Sequence, residues 1–79
     1  MQTEYQYINF IKQESKTKTD VFNIVSVSGR NILGQIKWFG RWRQYCFFPS
    51  NKTIFNKGCL EDINNFITQL MDARKGKKS

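Results

Sequence analysis

The chain has 79 residues, of which 13 are lysine or arginine and 6 are acidic, and it contains no histidine. One domain with a small core fits this length, and the 15% aromatic content provides the large side chains that such a core needs. Without histidine the commonest general base and metal ligand is missing, and no phosphate-loop or dinucleotide motif is present, so we expect neither an enzyme nor a cofactor or metal site.

Two further absences bear on the compartment. Cys46 and Cys59 are the only thiols, and two cysteines without histidine form neither a disulfide framework nor a zinc site. No apolar run is long enough to span a bilayer, and the first residues do not show the basic start and apolar stretch of a secretion signal. These features predict a cytoplasmic protein with reduced thiols that does not associate with a membrane.

The predicted elements begin with an N-terminal segment, residues 1–20, which we place outside the domain. Its first twelve residues alternate weakly, which favours a strand only slightly over a helical turn. Residues 12–20 are polar throughout, which indicates a linker or loop. A single domain is predicted over residues 21–76, and residues 77–79 form a basic tail.

The domain is predicted to contain a sheet followed by a helix. β-branched and aromatic side chains predict strands at residues 21–27, 32–38, 43–48 and, more briefly, 53–55. A helix follows, because apolar side chains recur at three- and four-residue intervals and form one stripe: Cys59, Ile63, Phe66, Ile67 and Leu70. Asn56 or Gly58 is the expected N-cap. The expected fold class is α+β, with a three- to four-stranded antiparallel meander and one C-terminal helix packed on one face.

The charged residues of this helix are expected to match its dipole. Glu61 and Asp62 are predicted in the first turn, and Arg74 and Lys75 in the last.

The pairing of the strands decides which side chains face the helix. If residue 28 pairs with 31 and residue 39 with 42, the helix side of the sheet carries Val21, Val25, Val27, Ile32, Ile36, Trp38, Tyr45 and Phe47. The other side then carries Phe22, Ile24, Ser26, Ser28, Leu33, Gln35, Lys37, Phe39, Trp42, Gln44, Cys46 and Phe48. Among the aromatic residues, Trp38, Tyr45 and Phe47 are the predicted core. A turn with one residue more would reverse half of these assignments.

The segment from Ile36 to Phe48 is the most informative part of the chain for function. It holds six aromatic residues around Lys37, Arg41 and Arg43, and no acidic residue lies between Asp20 and Glu61. Cations among aromatic rings are typical of surfaces on which unpaired bases stack beside a phosphate backbone. The candidate binding residues are Lys37, Phe39, Arg41, Trp42, Arg43, Arg30 and Lys52.

Two classes of partner fit this segment. Nucleic acid is the first, either as a single strand stacked on the sheet or as a duplex whose major groove receives it. A host protein is the alternative, because tryptophan and arginine at a hairpin tip also form protein-binding hot spots, and the chain would then be an inhibitor or adaptor. A free sheet edge can pair with a second copy of the chain. We therefore expect a monomer or a weak homodimer.

Part of the chain resembles a known family. The residues that carry the resemblance are Leu33 to Phe39, Trp42 to Tyr45, Phe47 to Pro49, Phe55 and Cys59 to Ile63. They resemble small uncharacterised proteins from bacteriophages, prophages and their bacterial hosts, which share the signature G-x-I-K-W-[FY]-x-x-W-R-x-Y-x-F-x-P before a short strand and a helix. The resemblance covers roughly residues 32–67 and implies a mobile-element origin and a cytoplasmic location, but no activity. The first thirty residues lie outside it.

Overall fold

A computed structural model describes residues 2–14, 18–27 and 31–76. The elements of this part of the chain are, in order, β1 (Ile8–Gln13), β2 (Val21–Ser26), β3 (Ile32–Phe39), β4 (Gln44–Pro49) and α1 (Lys57–Gly76). The strands form one antiparallel sheet in the order β1-β2-β3-β4, and α1 packs on one of its faces. The predicted α+β meander with a C-terminal helix is therefore confirmed.

The first strand comes from the segment that we predicted to lie outside the domain. β1 pairs with β2 over its whole length, from Ile8 opposite Ser26 to Gln13 opposite Val21. Its alternation, weak in the sequence, is that of a strand with one buried face, since Ile8 and Phe10 are both buried. Residues 53–55, predicted as the fourth strand, lie in no strand. The sheet therefore extends into residues 1–20.

Asn56 is the N-cap of α1, because its side-chain oxygen accepts a hydrogen bond at 2.8 Å from the backbone N–H of Cys59. The helix begins at the next residue, so its first turn contains no acidic residue. The prediction that Glu61 and Asp62 lie in that turn is wrong. The basic residues of the last turn are those expected, Arg74 and Lys75. Within the described ranges no helix has both the length and the apolar character of a membrane span.

The hydrophobic core lies between α1 and the sheet. Its buried side chains are Ile8, Phe10, Phe22, Ile24, Ile36 and Tyr45 from the sheet and Ile63, Phe66 and Leu70 from the helix. Phe66 stacks on Phe10 with ring centroids 4.1 Å apart and meets Phe22 edge-on at 4.8 Å. Of the predicted aromatic core, Tyr45 is buried, whereas Trp38 and Phe47 are half-buried against it.

Over residues 21–24 the pairing of β2 with β3 differs by one residue from the predicted pairing, and a β-bulge after Ile24 shifts it by one more, so that Val25 lies opposite Ile32. Phe22 lies opposite Ile36, and Val21 lies opposite Lys37. Because a shift of one residue exchanges the faces of a strand, Phe22 and Ile24 point toward α1 and Val21 points away from it. The predicted faces of β2 are therefore wrong. Most of the turn between these strands, residues 28–30, lies outside the described residues.

The pairing of β3 with β4 differs by two residues, so the predicted faces of residues 35–39 and 44–48 are correct. At the start of β3 they are wrong, because Leu33 packs against the core and Ile32 is 55% exposed. Phe39 lies opposite Gln44 and Trp38 opposite Tyr45, since the turn holds residues 40–43 rather than two residues. Arg43 ends this turn in the left-handed conformation with φ of 55°. Its backbone N–H donates to the carbonyl oxygen of Phe39 at 2.9 Å, which closes the hairpin.

Candidate functional site

We call the sheet face that points away from α1 the open face. The strand residues assigned to it by the pairing are Asn9, Ile11, Gln13, Val21, Asn23, Val25, Gln35, Lys37, Phe39, Gln44, Cys46 and Phe48. No residue of the four strands is acidic. The open face is therefore aromatic and amide-rich, and Lys37 is its one charged residue among those assigned to it.

Three rings gather at the hairpin end of the open face. Phe39 meets Trp42 edge-on with centroids 5.0 Å apart, and it lies 6.2 Å from the ring of Phe48. Lys37 holds its Nζ atom 4.6 Å from the centroid of Phe48, within the range of a cation–π contact. We call Phe39, Trp42 and Phe48 the aromatic cluster. Trp42 is 64% exposed, so a large part of its indole is available to a ligand.

The depression beside the aromatic cluster is shallow. Its volume is about 220 Å³, and Phe39, Trp42, Cys46, Phe47 and Phe48 line it. Pockets that enclose a small molecule usually measure about 300–1,000 Å³. The aromatic cluster therefore suits a flat ring laid against a surface better than a ligand enclosed in a cavity.

Amide side chains lie next to this cluster on the open face. Gln35 and Asn23 are directly opposite each other on β3 and β2, and the Gln35 amide donates to the Asn23 side-chain oxygen at 3.0 Å. This bond leaves the Asn23 NH₂ group and the Gln35 oxygen available for other partners. Amides are among the side chains that recognise base edges.

The structure brings some of the predicted site residues together. Lys37, Phe39 and Trp42 share the open face, and Arg41 lies exposed in the adjoining turn. These four positions keep the combination of rings and cations that the sequence indicated. Phe48, which the sequence predicted on the same face as Phe39, joins this group, since the alternation of β4 places it there.

Three other predicted residues do not join this group. Lys52 lies in the turn after β4, at the end of that strand opposite the hairpin, and five residue steps of β4 correspond to about 17 Å. Arg30 lies outside the described residues. Arg43 points away from the open face and lines a cleft on the α1 side of the sheet.

This second cleft lies where the C-terminal end of α1 meets the β3–β4 hairpin. Its volume is about 320 Å³, and Trp38, Arg43, Met71, Arg74 and Lys75 line it. The guanidinium carbon of Arg74 lies 4.1 Å from the centroid of the Trp38 ring. We call it the basic cleft.

Sequence reasoning assigned Arg74 and Lys75 only to the helix dipole. A signal was present, because Ile63, Ile67, Leu70 and Arg74 continue the four- and three-residue spacing of the apolar stripe. A cation in the stripe that faces the sheet indicates that its side chain has a specific contact there, which the structure shows to be the ring of Trp38.

The acidic residues lie outside the four strands, on the N-terminal segment, the β1–β2 connection and α1, where Asp72 is two residues from Arg74 in the chain. Two ion pairs are present among the described residues, Lys12 with Asp20 at 3.5 Å and Lys57 with Glu61 at 3.9 Å. Both pairs are well exposed, and neither includes a cation of the open face or the basic cleft. These two ion pairs therefore do not neutralise the cations of the open face or of the basic cleft.

The comparison with known proteins gives one phage relative. The chain is 34% identical over 71 residues to the "Uncharacterized 9.3 kDa protein" of Acholeplasma phage L2, a match that covers 89% of this chain and 91% of that protein. No protein-family model matches the chain, and no solved structure does. A match of this extent includes most of the first thirty residues, which the resemblance left out, and it confirms the predicted phage association. The motif signature stays a prediction.

Proposed function

The chain belongs to the family of this 9.3 kDa phage protein, and we propose that it is a non-enzymatic protein that binds single-stranded nucleic acid through its open face. The relative's name carries no activity, so the proposal rests on the site. The observation that supports it most is the aromatic cluster with its exposed Trp42, on a sheet that carries no acidic residue in any strand.

Base stacking is the main interaction in this proposal. The indole of Trp42 and the rings of Phe39 and Phe48 offer π-faces and edges, and each stacked base contributes about 1–3 kcal/mol to binding. Lys37 and Arg41 flank these rings and would contact phosphates. Asn23 and Gln35 supply hydrogen-bonding groups beside them.

The balance of rings and charges favours a single strand over a duplex. In a duplex the bases are paired and stacked on each other, so binding depends mainly on cations that contact phosphates. Lys37 is the one cation among the strand residues assigned to the open face, and a duplex-binding surface needs more cations than that. A single strand exposes its bases, and exposed rings are then the more useful groups.

Fluorescence anisotropy with labelled single-stranded and duplex oligonucleotides at two salt concentrations tests this proposal. We expect tighter binding of the single strand and a loss of about 1–3 kcal/mol on Trp42→Ala. Tyr7→Ala is the matched control, because Tyr7 is also a half-exposed aromatic residue but lies outside the strands and the aromatic cluster. Equal binding by the wild type and Trp42→Ala would contradict the stacking role.

A pair of lysine variants tests the electrostatic part. Lys37→Ala is expected to reduce the slope of log K against log salt by about one unit. Lys57→Ala removes the same charge from the first turn of α1 and is expected to leave the slope nearly unchanged. If the two variants behave alike, the charge effect is nonspecific and Lys37 has no special contact.

A protein partner is the second candidate. Trp42 and Arg41 project at a hairpin tip, and residue types of this kind dominate the energetics of protein interfaces. The small number of cations on the open face also favours this alternative. If no oligonucleotide binds even at low salt, this candidate replaces the first, and cross-linking through a photoreactive residue at position 42 would identify the partner.

A further inference from the structure

We infer that the basic cleft is a phosphate-binding site for the backbone of the same nucleic acid. The inference rests on the proposed function for the source of the phosphate, but it concerns different residues on the other side of the hairpin. Arg43, Arg74 and Lys75 supply the charge, and Trp38 and Met71 supply the wall.

The arginine at the centre of the cleft is held in place by an aromatic ring. Arg74 lies with its guanidinium carbon 4.1 Å from the ring centroid of Trp38. An aromatic face takes none of the guanidinium N–H donors, which remain free to bind an anion. Because stacking restricts the side chain before the ligand arrives, less conformational entropy is lost when it contacts a phosphate.

The three cations of the cleft have no carboxylate partner among the described residues, where the ion pairs are Lys12–Asp20 and Lys57–Glu61. Cations that line one cleft repel each other, and an anion between them relieves that repulsion. Arg74 and Lys75 lie in the last turn of α1, where the free carbonyl groups of the helix end attract cations. This attraction explains the position of two of the three cations.

Arg43 needs a separate explanation, because it comes from the hairpin. Its φ of 55° places it in the left-handed conformation, which glycine adopts more readily than arginine. Non-glycine residues in such conformations occur preferentially at binding sites. Arginine at this position carries its charge into the basic cleft rather than onto the open face.

The two surfaces meet at adjacent residues. Trp42 belongs to the aromatic cluster and Arg43 to the basic cleft, and their Cα atoms are separated by a single peptide unit, about 3.8 Å. A strand whose base stacks on Trp42 therefore has its neighbouring phosphates at the edge of the hairpin. From there the backbone can pass around the hairpin into the basic cleft.

A base-free oligomer of deoxyribose phosphate separates the two sites. It presents phosphates without rings, so we expect it to bind the basic cleft alone. In ¹H–¹⁵N spectra it should shift the indole N–H signal of Trp38 and leave that of Trp42 nearly unchanged. Arg43→Gly should weaken binding of this oligomer about tenfold, which corresponds to the loss of one charge-assisted hydrogen bond.

Lys52→Gly is the matched control. Lys52 also has a positive φ, of 61°, and carries the same charge, but it lies at the far end of β4. Both substitutions favour the local backbone, so a failure to fold is not expected to obscure the result. Equal weakening by Arg43→Gly and Lys52→Gly would overturn the inference, as would a base-free oligomer that does not shift the Trp38 signal. Arg74→Gln should weaken binding in the same direction as Arg43→Gly.

The experiment distinguishes failure of the inference from failure of the proposed function. If an oligonucleotide with bases binds in a manner that depends on Trp42 while Arg43→Gly has no effect, the basic cleft is refuted and the open face retained. If the base-free oligomer binds at Trp38 while Trp42→Ala changes nothing, the proposed stacking function is refuted and the cleft is retained.

Discussion

Substituting Arg43 by glycine and by alanine separates the effect of its backbone conformation from the effect of its charge. At φ of 55° a residue with a Cβ atom is disfavoured by roughly 1–2 kcal/mol. Glycine avoids this penalty, but its greater freedom in the unfolded chain opposes folding by about 0.4–1 kcal/mol. We therefore expect Arg43→Gly to be more stable than Arg43→Ala by roughly 0.5–1 kcal/mol.

Urea unfolding followed by tryptophan fluorescence measures this difference. For a domain of this size, 1 kcal/mol corresponds to about 4–8 °C in Tm, so a thermal scan should separate the two variants by a few degrees. Lys52→Gly and Lys52→Ala should differ similarly, because φ is 61° at that position. Both Arg43 variants lose the same cation and should bind the base-free oligomer equally weakly. If Arg43→Ala were as stable as Arg43→Gly, the conformational reasoning would be refuted.

The remaining predictions concern the fold. Phe66→Ala should lose about 3–5 kcal/mol of unfolding free energy because the ring is fully buried, whereas Leu60→Ala on the same helix should change it by less than about 0.5 kcal/mol; denaturant titration measures both. Gly34→Ala should lose about 1–3 kcal/mol of unfolding free energy, since the new Cβ would lie 2.8 Å from the backbone oxygen of Phe48 in β4. Gly40→Ala is the control in the same titration, because a Cβ there would have no atom within 4 Å. Burial raises the pKa of Tyr5 above its ordinary value of 10.0. The folded state therefore favours the neutral phenol. This contribution to stability is present below pH 10.0 and is lost as pH rises through the higher folded pKa. Comparing the unfolding of the wild type with that of Tyr5→Phe across alkaline pH would detect the loss.

The strands of the central hairpins were predictable because their composition is strongly that of a sheet. The register was not predictable, because it depends on turn length. Arg43 explains the second hairpin: an arginine in the left-handed position gives no sequence signal of a four-residue turn, whereas glycine or asparagine would have done so. The face assignment of β4 was nevertheless correct, because a shift by two residues preserves the alternation.

Residues 53–55 show how β propensity is overridden by tertiary contacts. Ile54 is 93% exposed, and Phe55 packs edge-on against Phe47 with centroids 4.9 Å apart. The segment connects β4 to α1 and uses its one inward side chain to cover the core. β1 shows the opposite case, since Ile8 and Phe10 give only two inward apolar positions and yet form a complete strand against β2.

The candidate site was predictable as a segment but not as a surface. Arg41, Trp42 and Arg43 are consecutive, and sequence reasoning placed them on one patch. The turn directs Trp42 toward Phe39 and Arg43 toward Trp38, so that neighbouring residues lie on opposite sides of the hairpin. Chain order alone does not contain this separation, because it follows from the turn conformation.

The separation of rings from arginines also bears on the class of nucleic acid. A duplex carries its phosphates on the outside and its bases within, so a protein that binds it needs cations on the same surface as its other contacts. In this protein the exposed indole of Trp42 lies on one side of the hairpin, and Arg43 with Arg74 lies on the other. A flexible single strand can turn its bases to one side and its phosphates to the other as it passes around the hairpin edge. The proposed stacking site and the inferred phosphate site are therefore compatible with a single strand bound at both, and a rigid duplex is expected to reach only one of them.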